Sequence, residues 1–255
     1  MSVGRVFQRA FSAIAFNPVV VLGLALVIGA LPGLLMTWLF FQMGLTSPEA
    51  LRSGAFSFRG FFAAVMLSTL ISLIIATLVQ AALTRATVAA NEGRRATFGE
   101  SLSSALGVVA PLIGLSILFS LGVGLGFVLL LVPGFILLTM WAVAVPALVI
   151  ERTGVFAAFG RSAELTKGAR WKIFGLFLVL GVAYWLLSIV FGLVGLATYN
   201  PATATSGISV ANVIGSVVLG TVFNTLWGTL QPSLYVELRQ WKEGSSVDNL
   251  EAVFA

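Results

Sequence analysis

LLLVPGFILLTMWAVAVPALVIERTGVFAAFGRSAELTKGARWKIF, residues 129–174, changes from apolar to charged and back more sharply than any other stretch of the chain. It holds the end of one apolar run, the tripeptide Val132-Pro133-Gly134, a second run to Ile150, a polar segment from Glu151 to Lys172, and the start of a third run. No Asp, Glu, Lys or Arg occurs between Ser101 and Ile150. A charge-free segment of that length crosses a hydrocarbon layer of about 30 Å out and back, with Pro133-Gly134 as a tight turn. The stretch predicts an all-α membrane protein.

Composition agrees. The chain is 59% hydrophobic and 9% charged, whereas soluble domains carry about 25% charged residues. Cys and His are both absent. Their absence removes disulfides, thiolate nucleophiles, Cys/His metal sites and imidazole acid–base chemistry. No metal or other cofactor is expected. The net charge of +5 is spread without a contiguous basic tract, so nucleic acid is not an expected partner.

Working outward, four further charge-poor runs complete a six-span reading. The spans are expected at residues 17–41, 60–84, 108–132, 133–150, 171–197 and 208–232, in one membrane domain covering 1–255. Gly122 and Gly126 form a GxxxG pair that lets helices approach closely. Pro146 lies one turn before the end of the fourth span and is expected to kink it.

Short amphipathic helices fill the gaps. In residues 1–16, Val3, Val6, Phe7, Ala10, Phe11 and Ile14 recur at helical spacing opposite Arg5 and Arg9, which predicts a helix lying in the membrane interface. The charge-free run from Ala10 to Pro48 favours this over a cleaved secretory signal. Thr97 and Glu100 have capping-box spacing before a second such helix. Val155, Phe156, Phe159 and Ala163 share a face of a third. Ser245 to Asp248 can cap a last short helix. Interfacial helices opening near Phe7, Phe98 and Phe156 each precede a span, so the chain reads as three helix-plus-hairpin units.

Six spans put both termini on one side. Placing them in the cytoplasm puts Arg5, Arg9, Arg85, Arg94, Arg95, Arg152, Arg161, Lys167, Arg170, Lys172, Arg239 and Lys242 inside, and only Arg52 and Arg59 outside. The positive-inside rule selects that orientation.

Val132-Pro133-Gly134, Trp141, Pro146, Glu151, Gly154, Arg161-Ser162, Leu165, Gly168 and Trp171, with Tyr235, Leu238 and Arg239 near the end, follow in an order that resembles the bacterial glycerophosphoryl diester phosphodiesterase membrane domain family and the YciC-like six-span membrane proteins. The resemblance covers most of the chain and is best over residues 94–172. It implies a multi-pass module of the bacterial inner membrane. The family takes its name from members fused to a soluble phosphodiesterase domain, which these 255 residues do not include, so no activity carries over.

No Asp, Glu, Lys or Arg occurs from Ala10 to Pro48, Gly60 to Thr84, Ser101 to Ile150 or Ile173 to Val236, which counts against proton-coupled transport, and the carboxylates are too scattered for metal-assisted hydrolysis. Polar residues within the spans, such as Ser116, Ser120, Asn224 and Thr225, read first as interhelical or helix-backbone hydrogen bonding and second as a lined cavity or substrate path. The expected function is a non-enzymatic, lipid-associated membrane module whose partners are anionic phospholipids. The alternatives are a passive transporter or channel and, last, a membrane enzyme. Arg94, Arg95, Lys167, Arg170 and Lys172 are the candidate headgroup contacts, each worth about 1 kcal/mol near an anionic leaflet. Glu151 and Arg161, ten residues apart across a turn, are expected to pair at the membrane edge.

Overall fold

The computed structural model describes residues 1–30, 33–34, 58–197 and 210–244, and every regular element among them is helical. Helix α1 (Val3–Phe16) bends by 100° at Asn17 into α2 (Pro18–Leu24), which runs on as a π-helical turn, Ala25–Ala30. Pro18 suits the first position of a helix because its missing N–H would be unpaired there anyway. Then follow α3 (Phe58–Asn91), α4 (Phe98–Leu106), α5 (Val109–Leu129), α6 (Leu131–Met140), α7 (Ala144–Glu151), α8 (Val155–Thr166), α9 (Arg170–Ala197) and α10 (Val210–Glu243). Thr97 and Glu100 form the capping box of α4, with Glu100 N–H donating to Thr97 Oγ1 at 3.2 Å and Thr97 N–H to Glu100 Oε2 at 2.8 Å.

Among the described residues, four stretches are long and apolar enough to cross a membrane: Val65–Asn91, Val109–Leu129, Leu131–Glu151 and Arg170–Val194. The bent pair α1–α2 makes a fifth if counted as one span. Six spans in three hairpins are therefore more than the described residues display. Most of the expected first span beyond Ala30, the loop at 42–57, the loop at 198–209 and the tail from 245 lie outside them. The expected sixth span, 208–232, belongs to α10 but is not among the four. Its start, through residue 209, lies outside the described residues, and its helix continues past Pro232 to Glu243.

Two local expectations are corrected. The chain reverses between α5 and α6 at Leu130 (φ −163°, ψ 147°), not at Val132-Pro133-Gly134. Pro133 and Gly134 sit in the first turn of α6, where proline removes no helical hydrogen bond. The fourth span is not bent at Pro146 itself but broken upstream, at Trp141–Val143. Pro146, in the first turn of α7, cannot bond to the carbonyl of Ala142, and its ring crowds that carbonyl. The helix yields at that point.

The α5–α6 hairpin is tight because of its glycines. A Cβ on Gly122 would lie 2.5 Å from the Trp141 ring, and one on Gly126 would lie 2.9 Å from Gly134 Cα. Helix α7 contributes to both core clusters. Ala147 belongs to one core cluster with Val6, Leu176, Leu234 and Leu238, and Ala144 and Leu148 to a second with Leu24, Leu83, Leu112 and Leu115. The other ends of α3, α5, α9 and α10 expose Phe62, Met66, Leu121, Leu125, Val179, Trp185, Val190, Ile214 and Val218. Apolar exposure on that scale marks a surface that faces lipid.

Candidate functional site

The break at Trp141–Val143 frees backbone groups that a bilayer cannot satisfy. Helix α8 supplies the partners. Ser162 Oγ–H donates to the Met140 carbonyl at 2.9 Å and accepts from Val143 N–H at 3.2 Å, while Thr166 Oγ1–H donates to the same carbonyl at 3.2 Å. This need sets the rotation of α8. Its buried stripe is Ala158, Ser162, Leu165 and Thr166; of the apolar face read from the sequence, Val155 and Phe159 pack against the core and Phe156 is 79% exposed.

The same docking brings Glu151 and Arg161 together. Arg161 Nε–H donates to Glu151 Oε1 at 2.9 Å and Oε2 at 3.2 Å. Glu151 Oε1 also accepts from the Tyr235 hydroxyl at 2.7 Å, and Tyr235 is 1% exposed. Arg161 reaches Glu243 as well, and Glu243 takes a second guanidinium from Arg239 Nε at 2.8 Å. Glu164 lies 3.6 Å from Arg161. The hydrogen bond with Glu243 pushes the Arg161 guanidinium pKa up, and the bond to Glu151 adds to this. The Arg161 bond holds the Glu243 carboxyl below its usual range. Burial, then the bond to Glu151, pushes the Tyr235 phenol up. Donors occupy both oxygens of Glu151, so the arrangement locks α7, α8 and α10 and offers no free base to a substrate.

A second ionic centre ties in the N-terminal helix. Glu237, 2% exposed, accepts from Ser2 N–H at 2.9 Å and lies 3.0 Å from Arg5 Nη2 and 3.6 Å from Arg9 Nε. Lys172 Nζ donates to the Met1 carbonyl at 3.2 Å. Glu237 and Glu243 are absent from the sequence-derived candidates. The signal that could have found them is the heptad-like run Leu230, Leu234, Tyr235, Leu238, which carries α10 through Pro232 into the charged tail.

The expected lipid contacts fall into two groups. Arg94 and Arg95 are exposed after α3; Arg94 pairs with Glu92, and Arg95 lies over the Phe16 ring at 5.3 Å. Lys167, Arg170 and Lys172 flank the α8–α9 turn. Lys172 binds Met1 and Arg95 covers Phe16, the two ends of a helix about 20 Å long at 1.5 Å per residue. The groups are therefore separate patches.

Beside the second patch is a groove of about 450 Å³ between α6 and α9, lined by Val132, Phe135, Ile136, Thr139, Arg170, Trp171 and Phe174. Arg170 Nε is buried without a hydrogen-bond partner among the described residues, and Trp171 is 86% exposed. A different cavity, of about 260 Å³, lies among α3, α5, α9 and α10 and is lined in part by Gln80, Ser116, Trp141, Asn224, Trp227 and Gln231. No group of three or more His, Cys, Asp or Glu among the described residues is arranged to hold a metal ion. No protein-family model matches the chain, and neither curated proteins nor solved structures yield a match.

Proposed function

We propose that this chain is a lipid-associated module of the bacterial inner membrane, with both termini cytoplasmic, that holds an anionic phospholipid in the α6–α9 groove. The observation that carries the reading is the pairing of an apolar furrow with the Arg170 guanidinium, whose Nε–H has no hydrogen-bond partner among the described residues. Phe135, Ile136 and Phe174 offer an acyl chain a dry surface, while Arg170 offers a phosphate a charge-assisted hydrogen bond. Trp171 and Phe156 are exposed amphipathic or apolar anchors of the kind that lie at headgroup depth. The likeness of residues 94–172 to the phosphodiesterase membrane domain family belongs to the same proposal.

The test is native mass spectrometry of the protein released from mixed phosphatidylglycerol and phosphatidylcholine. Arg170→Gln should lower retention of the acidic lipid relative to the neutral one. Arg94→Gln, on the other patch and already paired with Glu92, should change it less. Equal retention of acidic lipid by wild type and Arg170→Gln would remove the groove from the proposal.

A further inference from the structure

The cavity among α3, α5, α9 and α10 differs in chemistry from the groove. Its polar lining is uncharged throughout: Thr77, Gln80, Ser116, Ser120, Asn224 and Gln231, set among the rings of Phe119, Trp141 and Trp227. Gln80 Nε2 donates to Gln231 Oε1 at 2.9 Å, so those two amides are held in place by each other. The Asn224 amide and the Ser116 hydroxyl have no hydrogen-bond partner among the described residues. Asn224 is also pressed against the π-helical turn, where a Cβ on Gly29 would lie 2.8 Å from its Nδ2. A preorganised amide and a hydroxyl, both unpartnered and both facing a cavity of about 260 Å³, call for an occupant that donates and accepts hydrogen bonds.

Depth and access narrow the class. Gln231 precedes the ionic centre at Glu237 by about 9 Å of helix, and Asn224 precedes it by about 20 Å. The cavity thus lies within the apolar zone. Its exposed lining residues are Ala76 of α3 and Ser120 of α5. Their neighbours Ile74, Ile117, Leu118 and Leu121 face outward, so the mouth opens on the lipid-facing surface. A ligand arriving there comes out of the bilayer. A charged headgroup would be buried without a counter-charge. A hydroxyl head matches the free amide and the free serine as both donor and acceptor.

We infer that this cavity receives the uncharged, hydroxyl-bearing head of a membrane-dissolved amphiphile, of the diacylglycerol type, while its chains stay in the lipid outside the α3–α5 mouth. The inference is independent of the anionic groove, because it uses none of that groove's residues.

The test uses the full chain in nanodiscs and a diazirine-bearing diacylglycerol, with phosphatidic acid of the same chains as the charged control. Photolabelling should map to α3, α5 or α10 and be competed by unlabelled diacylglycerol but not by phosphatidic acid. Asn224→Leu should cut labelling by roughly tenfold, the loss expected for one buried hydrogen bond. Ser120→Trp, at the exposed mouth, should block labelling without touching the interior and decides the matter if Asn224→Leu does not fold. Arg170→Gln should leave this labelling unchanged. Equal labelling by the charged analogue, or labelling that survives Ser120→Trp, would overturn the inference and leave a water-filled packing defect.

Discussion

Replacing Glu151 and Arg161 by glutamine, singly and together, probes the network that joins α7, α8 and α10. The two side chains are 21% and 24% exposed and meet through two contacts from Arg161 Nε, at 2.9 and 3.2 Å. Exposed pairs contribute about 0–1 kcal/mol, whereas breaking a fully buried pair costs about 3–5 kcal/mol. With roughly three quarters of each side chain covered, a coupling energy of about 1–2 kcal/mol is expected after discounting for solvent. Arg161→Gln should be the costlier single change, at about 2–4 kcal/mol, because it also strips Glu243 of a guanidinium. Glu151→Gln should cost about 1–2 kcal/mol, since an amide oxygen still accepts from Tyr235 and Arg161. Reversible denaturant unfolding in mixed micelles, followed by tryptophan fluorescence, gives all three values. If the double variant loses the sum of the singles to within about 0.5 kcal/mol, the pair is uncoupled and its role in fixing α8 against α7 is refuted.

Two further outcomes follow from named contacts. Gly126→Ala should destabilise by about 1–3 kcal/mol, because its new methyl meets backbone at Gly134 that cannot swing away, while Gly124→Ala, with nothing within 4 Å, should be near neutral or slightly stabilising; thermal melts of the two variants side by side check this, and equal losses would contradict the close approach. Stability should also fall on acidification. Glu243 has a depressed folded-state pKa, so its contribution is complete above the unfolded glutamate value of about 4.3 and is lost as pH drops through the folded value; Glu243→Gln should flatten the melting-temperature profile between about pH 5 and pH 3, and an unchanged slope would count against the Arg161–Glu243 contact.

Local sequence was enough wherever the physics is local. A bilayer admits only long apolar helices, so the charge-free stretch 101–150 and the apolar run that follows Lys172 declare themselves by length and composition. Thr97 and Glu100 cap α4 through atoms three residues apart, and spacing alone specifies that. Amphipathic periodicity likewise marks α1 and α8 as helices. It does not say which face is covered, because that depends on what the neighbour needs. Ser162 and Thr166 turn inward because the broken helix at Met140 has a carbonyl to satisfy.

Tertiary structure decided what linear spacing cannot encode. Pro146 is visible in the sequence, yet the helix gives way a turn earlier, where the carbonyl of Ala142 meets the proline ring. Pro232 looks like the end of a span, yet α10 runs through it because Leu234, Tyr235 and Leu238 have a core to enter. Glu237 reads as one charge in a mixed tail. Its burial is possible only because Ser2, Arg5 and Arg9, more than two hundred residues away, converge on it. The uncharged cavity has the same origin. Gln80, Ser116, Asn224 and Gln231 are isolated polar residues on three different helices, and only packing brings their hydrogen-bonding groups to one place in the apolar layer, where each must find a partner.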